Sequence, residues 1–169
     1  MRLFRTRMIA TAMLFNGNDL LMMKRSLSRT LNPGMWASVG GHMEPEEIND
    51  PRATCLREIY EETGLCESEI SDLRLRYILI RINQQEVRQQ FIYSGHAARR
   101  DVLQTDEGVL HWIPREEVLN REIPFIFHCL LEHYLQIGPA PHIWVGTAGF
   151  TDTAKPTVHW TALSDPNTV

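Results

Sequence analysis

The chain has 169 residues, with 17 Lys and Arg against 21 Asp and Glu, and a net charge of −4. That length is typical of one domain with a buried core, and the lack of a basic excess argues against a protein that binds nucleic acid duplexes. Three scattered cysteines favour reduced thiols in a cytoplasmic protein over a disulfide scaffold, and no run reaches the roughly 18 apolar residues that a membrane span needs.

Apolar runs separated by turn residues predict a chain rich in strands. The first two runs flank Asn16-Gly17-Asn18-Asp19, which is the pattern of a β-hairpin. In chain order, the predicted strands are 8–15, 20–24, 35–42, 73–82, 87–94, 109–113, 142–145 and 157–163.

Two longer helices are also predicted, the second over 124–137. Asp50 is placed to cap the first helix, which has Pro51 in its first turn and ends near Thr63, before Gly64. Helical spacing predicts that one face of this helix belongs to the core. The predicted core face consists of Ala53, Leu56, Tyr60 and Thr63.

Acidic residues are crowded around this first helix. Residues 44–62 contain six Glu and one Asp against two Arg, and Glu58, Glu61 and Glu62 share a helix face. Like charges three or four residues apart cost a few tenths of a kcal/mol per pair, and the helix dipole disfavours anions in the last turn. Two interpretations stay open at this point: a solvated charged face, or a set of oxygen ligands for a hard cation such as Mg²⁺ or Mn²⁺.

The order of these residues resembles a known signature. Its positions here are Gly41, Glu47, Arg57-Glu58-Ile59, Glu61-Glu62 and Gly64-Leu65, and they resemble the motif of the Nudix hydrolases. The resemblance spans roughly residues 7–137. One departure is that nine residues separate Glu47 from Arg57, where the family pattern has seven.

The resemblance implies an α/β fold, in which helices sandwich a mixed sheet. It places the Nudix domain at residues 1–137. Residues 138–169 lie outside it and form a C-terminal extension, predicted to be a β-hairpin packed on the same domain.

The resemblance also implies the chemistry, which is hydrolysis of a nucleoside diphosphate linked to another group. Developing charge on the phosphates would be neutralised by Mg²⁺, with Mn²⁺ as an alternative. The implied metal ligands are Glu58 and Glu62, assisted by Glu61 and by the carbonyl near Gly41. Arg57 would orient the glutamates, and Glu107 or Asp106 would be a candidate general base.

The motif does not set the substrate. The approach to the glycine pair resembles enzymes that hydrolyse oxidised purine nucleotides such as 8-oxo-dGTP, with Ala37 where some of those have an Asn. Three residues are predicted to bind substrate: Arg25, Trp36 and Phe91. ADP-ribose, other nucleotide sugars and dinucleoside polyphosphates are alternative substrates.

Two other classes compete with this hydrolase. An isomerase of the same fold would need a reactive cysteine near Trp36, and residues 37–41 contain none. A non-catalytic Nudix-like binding module would be expected to lose helix glutamates, and all three are present. The expected partner is therefore a small nucleotide, with neither nucleic acid nor membrane, and a homodimer is an open alternative to a monomer.

Overall fold

The computed structural model describes residues 5–167, in which four strands, a helix, three strands, a second helix and two strands follow one another. The two α-helices are α1 (Pro51–Thr63) and α2 (Phe125–Ile137). The strands in this part of the chain are β1 (Arg5–Asn16), β2 (Asp19–Arg25), β3 (Trp36–Ala37), β4 (Val39–His42), β5 (Ile70–Asn83), β6 (Glu86–Ala97), β7 (Gly108–Pro114), β8 (Trp144–Phe150) and β9 (Pro156–Ala162). Short 3₁₀ turns lie at Pro45–Glu47, Glu67–Glu69 and Arg115–Asn120.

All of these strands belong to one mixed sheet. Its main path runs β3-β2-β1-β6-β5-β8-β9, with β4 paired to β1 and β7 paired to β2. The pairs β1–β6 and β5–β8 are parallel, whereas the other pairs are antiparallel. The mixed α/β architecture predicted from the resemblance is confirmed.

The sheet is buried on both faces, and β1 shows why. Its side chains alternate, so that Ala10, Ala12 and Leu14 join one apolar cluster while Met13 and Phe15 join another. The first cluster contains residues of α1 and the second contains residues of α2. The run 8–15 is therefore apolar at nearly every position because a helix covers each side.

The ends of α1 lie where the sequence predicts. The Asp50 side chain accepts a hydrogen bond from the Ala53 N–H at 3.1 Å. At the other end, Gly64 has a φ of 74° and donates its N–H to the carbonyl of Tyr60 at 2.8 Å. This left-handed conformation favours glycine.

Of the predicted core face of α1, Thr63 is buried, whereas Ala53 and Leu56 are only partly buried and the position of Tyr60 is wrong. Tyr60 is 58% exposed, and the buried side of the helix consists of Thr54, Cys55, Ile59, Glu62 and Thr63. The apolar periodicity fails here because one of the positions that face the sheet is a glutamate. Another difference is that residues 35–42 form two strands, since β3 pairs with β2 whereas β4 pairs with β1.

Beyond α2, residues 144–162 add two strands to the sheet. Strand β8 runs parallel to β5, and β9 pairs back on β8 as a hairpin. Trp160 packs across Tyr77 and stacks on His133 of α2, with ring centroids 5.1 and 4.9 Å apart. Aromatic contacts thus attach these strands to α2 and β5. Among the described residues, neither helix has the length and apolar character that crossing a membrane requires.

Candidate active site

Two adjacent glycines bring α1 close to the sheet. In β4, Gly40 has a φ of 138°, and a Cβ there would collide with the backbone of β1. A Cβ at Gly41 would collide with the carboxylate of Glu58. The two glycines therefore let β4 lie close to the backbone of β1 and to the carboxylate of Glu58, where residues with side chains would collide.

Glu62 is the buried carboxylate of this site. Its residue surface is 7% exposed, and its Oε2 accepts the N–H of Gly40 at 2.9 Å. The pKa of Glu62 is raised to about 8, chiefly by burial and also by the neighbouring carboxylates of Glu107 and Glu58, against the hydrogen bond from Gly40. A positive ion placed here would offset both the burial and the crowding of like charges.

Glu58 and Glu61 differ in their surroundings, although both lie on α1. The Glu58 side chain is 14% exposed, and burial raises its pKa, while Arg57 opposes the rise. The Glu61 side chain is 55% exposed and lies 3.2 Å from Nη1 of Arg57. Glu58 thus belongs to the buried group with Glu62, and Glu61 lies at its rim.

Arg57 connects three parts of the site. Its Nε and Nη2 bind the two oxygens of Glu47 at 2.8 and 2.9 Å. Its Nη1 donates to Glu58 at 2.8 Å, and Nη2 also donates to the carbonyl of His42 at 3.1 Å. Bidentate pairing of this kind fixes geometry as well as charge. Arg57 therefore links the turn that holds Glu47, helix α1 and the last residue of β4 through hydrogen bonds.

The two extra residues before α1 do not displace Glu47. The 3₁₀ turn at Pro45–Glu47 presents its carboxylate to Arg57, and the Thr54 hydroxyl donates to it at 2.8 Å. Hydrogen bonding from Arg57 is the main reason that the pKa of Glu47 falls to about 2. The inserted residues are absorbed between this turn and the cap of α1 at Asp50.

Glu107 approaches the site from the loop before β7. Its side chain is 37% exposed and lies 3.4 Å from Arg29, and its charge acts on both Glu62 and Glu58. No three His, Cys, Asp or Glu side chains within residues 5–167 form a preformed metal-ligand cluster. The donor set nevertheless fits a divalent cation, because carboxylates are the ligands that Mg²⁺ prefers and Glu62 is buried beside two further carboxylates.

An open cleft of about 620 Å³ lies next to Glu107. Asp106 and Gly108, which flank that residue, both line it. The other lining residues include two adjacent cations, Lys24 and Arg25 of β2. Their charges suit an anionic ligand that reaches the carboxylates from this side.

The structure separates the three residues that were predicted to bind substrate. Arg25 lines the cleft, and its Nε donates to the carbonyl of Leu31 at 3.0 Å. Trp36 lies against the residues of the cleft wall, with its ring 5.3 Å from that of His111 and the Nζ of Lys24 5.9 Å from its centroid. Phe91 is a core residue in the α1-side cluster and is 9% exposed. It does not line the cleft, because its position on β6 points it at the buried face of the sheet.

Some residues of the site were not among those predicted. Gly40 supplies the N–H that binds Glu62, and Glu47 anchors Arg57. The acidic position in the motif was the available signal for Glu47. No local signal marks Lys24 and His111, because they meet only through the pairing of β2 with β7.

Comparisons with known proteins agree with this geometry. A family model described as the NUDIX domain matches residues 5–132. Among solved structures, the mutator MutT protein from Bacillus halodurans has 20% identity and a TM-score of 0.67, with 91% of this chain and 97% of that chain covered. The MutT protein from Methanosarcina mazei Go1 also has 20% identity and a TM-score of 0.67, covering 79% and 95%.

A third neighbour has a substrate in its name. An Ap4A hydrolase from C. elegans has 16% identity and a TM-score of 0.63, with 76% of this chain and 94% of that chain covered. These likenesses show a shared fold, and the family model carries the assignment. The chain belongs to the NUDIX domain family.

Proposed function

We propose that this protein hydrolyses a diphosphate linkage in a nucleoside di- or triphosphate derivative and requires Mg²⁺. The observation that carries the proposal is the buried carboxylate of Glu62, held by Gly40 beside Glu58 and Glu107. A fold gains no stability from such crowding, because ionised carboxylates in a low-dielectric setting repel one another. The arrangement is explained if a divalent cation binds here.

Glu58 and Glu62 would be the principal metal ligands, with the carbonyl near Gly41 completing the set. Bound Mg²⁺ would neutralise phosphate charge and lower the pKa of an attacking water. Glu61 is assigned an assisting role, in keeping with its exposed side chain and its contact to Arg57. Mn²⁺ offers the same oxygen-ligand chemistry and is the alternative ion.

Two further residues are assigned roles in positioning the ligands and in proton transfer. Arg57 is a positioning residue, since it holds Glu47, Glu58 and the carbonyl of His42 in fixed relation. Glu107 is the candidate general base, because it reaches the same carboxylates from a different loop and is open to solvent. A base in that position could accept a proton from water while Glu58 and Glu62 hold the metal.

The cleft is the proposed binding place for the rest of the nucleotide. Lys24 and Arg25 would contact its phosphates, and Trp36 with His111 would form an aromatic wall. An oxidised purine nucleotide such as 8-oxo-dGTP is the first candidate, releasing the monophosphate. ADP-ribose and nucleotide sugars share the linkage and are the alternatives. The intact glutamates argue against a non-catalytic nucleotide-binding module.

The proposal is tested by a phosphate-release screen on the purified chain with Mg²⁺. The panel contains 8-oxo-dGTP, ordinary dNTPs, ADP-ribose, nucleotide sugars and diadenosine polyphosphates. Turnover that is lost in Glu62→Gln and kept in Glu132→Gln, an exposed carboxylate on α2, would support it. Turnover that survives Glu62→Gln would overturn it. Cytoplasmic location and a homodimer stay predictions.

A further inference from the structure

One cation reaches the carboxylates of the site from the loop that joins β2 to β3. The Nη2 of Arg29, in this loop, lies 3.4 Å from Oε1 of Glu107. The charge of the same Glu107 acts on both Glu62 and Glu58. Glu107 therefore contacts a guanidinium while it lies near the two residues that are the proposed metal ligands.

The backbone at Glu107 is fixed by contacts that do not involve Arg29. The carbonyl of Glu107 accepts the N–H of Ser26 at 3.0 Å. The next residue, Gly108, lies so close to β2 that a Cβ there would collide with the carbonyl of Lys24. These contacts leave the side chain of Glu107 to be held separately, and within residues 5–167 Arg29 is its one ion-pair partner.

The loop after β2 is folded back on itself so that Arg29 reaches Glu107. Arg29 donates its N–H to the carbonyl of Ser26 at 3.2 Å, and the Nε of Arg25 donates to the carbonyl of Leu31 at 3.0 Å. Ser26 and Arg25 also line the cleft. One loop thus forms part of the cleft wall and carries the partner of Glu107.

A carboxylate in the position of Glu107 has two possible uses. It could join Glu58 and Glu62 as a further oxygen ligand, since hard cations favour carboxylates. A general base must instead keep an oxygen available to accept a proton from water. A guanidinium at Oε1 favours the second use, because it supplies the positive charge that Glu107 would otherwise obtain from a metal ion.

We propose that Arg29 is a positioning residue that holds Glu107 as the general base and keeps it out of the set of metal ligands. The inference rests on the proposed hydrolase function and adds to it a residue outside the sequence motif. The Arg29 side chain is 40% exposed and that of Glu107 is 37% exposed. A partly exposed ion pair contributes little to stability, so the effect of Arg29 is expected on the placement of Glu107 rather than on folding.

The first measurement is calorimetric titration of the full chain with Mg²⁺ in the absence of substrate. Arg29→Gln should bind Mg²⁺ about 3–10-fold more tightly, because the substitution frees a further carboxylate and removes a nearby positive charge. Arg52→Gln is the matched control, since Arg52 also forms an exposed ion pair, with Glu67, and its loss changes the net charge equally. In a Glu107→Gln background, the effect of Arg29→Gln should fall to that of Arg52→Gln.

The titration separates failure of this inference from failure of the proposed function. If the wild type binds Mg²⁺ and Arg29→Gln binds it with the same affinity, the role of Arg29 is overturned while the hydrolase function stands. If the wild type binds no Mg²⁺, both are overturned. Unchanged circular dichroism and thermal midpoints establish that the variants fold. This readout does not need turnover.

The second measurement is steady-state kinetics with Mg²⁺ on the nucleotide that the screen shows to be hydrolysed fastest. Arg29→Gln should lower kcat by about 10-fold with little change in KM, because a misplaced base affects the chemical step. Arg29→Lys should keep most of the activity, since it retains the charge, and Arg29→Gln should cause no further loss in a Glu107→Gln background. A raised KM with unchanged kcat would overturn the proposal and would make Arg29 a contact of the substrate phosphates instead.

Discussion

Replacing Glu62 with glutamine should abolish activity and at the same time stabilise the metal-free fold at alkaline pH. Glutamine has the shape of a protonated glutamate and can still accept the N–H of Gly40. It has no charge to bury. The variant therefore separates the cost of the ionised carboxylate from the packing of the side chain.

The sign and size of this change in stability follow from the pKa of Glu62. It is about 8 in the folded protein, against 4.5 for an unperturbed glutamate. Between these two values the unfolded chain has lost the proton and the folded chain has kept it, so the stability of the wild type falls as pH rises through this window. At about 1.36 kcal/mol per pKa unit, the upper limit is about 5 kcal/mol. Relaxation around a buried charge reduces this, and we expect about 2–4 kcal/mol.

The assay is thermal unfolding with a chelator, at pH values from 4.5 to 9. Glu62→Gln should unfold with the wild type near pH 4.5 and roughly 5–15 °C above it near pH 9. Glu61→Gln is the control, because it removes the same charge from the same helix at a side chain that is 55% exposed. A difference that does not depend on pH, or an equal gain in Glu61→Gln, would refute the reasoning. Adding Mg²⁺ at pH 8.5 should stabilise the wild type more than Glu62→Gln.

Three further substitutions test the framework of the site. Arg57→Gln should lower kcat/KM by about 10–100-fold with circular dichroism unchanged, and a smaller effect would deny it the positioning role. Gly41→Ala should abolish Mg²⁺-dependent hydrolysis, because its Cβ would enter the space of an α1 carboxylate; measurable wild-type activity would show that this close approach is not needed. Gly146→Ala should lower the free energy of unfolding by about 1–3 kcal/mol, because its Cβ would displace the ring of Trp160; thermal unfolding measures this loss. A Cβ at Gly149, on the same strand, meets open space, so Gly149→Ala is the control for both glycine substitutions.

The carboxylates of α1 could be predicted because their relation is local. Residues three and four apart share a helix face whatever the rest of the fold does. The caps at Asp50 and Gly64 were found for the same reason. In contrast, the core face of α1 was missed, because a search for apolar periodicity counts Glu62 as a surface residue when it is in fact buried against β4. The apolar periodicity of α1 is interrupted by Glu62, which is itself a residue of the site.

Contacts that depend on strand pairing could not be predicted in this way. Arg7 is adjacent to Arg88 only through the parallel pairing of β1 with β6, and no feature within either segment gives that register. The same holds for Glu107, which the structure brings to Glu62 from a loop about 45 residues later in the chain. Phe91 was predicted to bind substrate, but it lies in the middle of β6 and in the core, for which an aromatic residue is equally suited.

The placement of the charged groups bears on how a substrate is oriented. The carboxylates at Glu58 and Glu62 repel an anion until a cation binds, whereas Lys24 and Arg25 of the cleft attract one at all times. A substrate phosphate would therefore be held by the cleft first and would meet the ligands only when Mg²⁺ is present. On this reasoning, raising the salt concentration should increase the KM more than it lowers kcat.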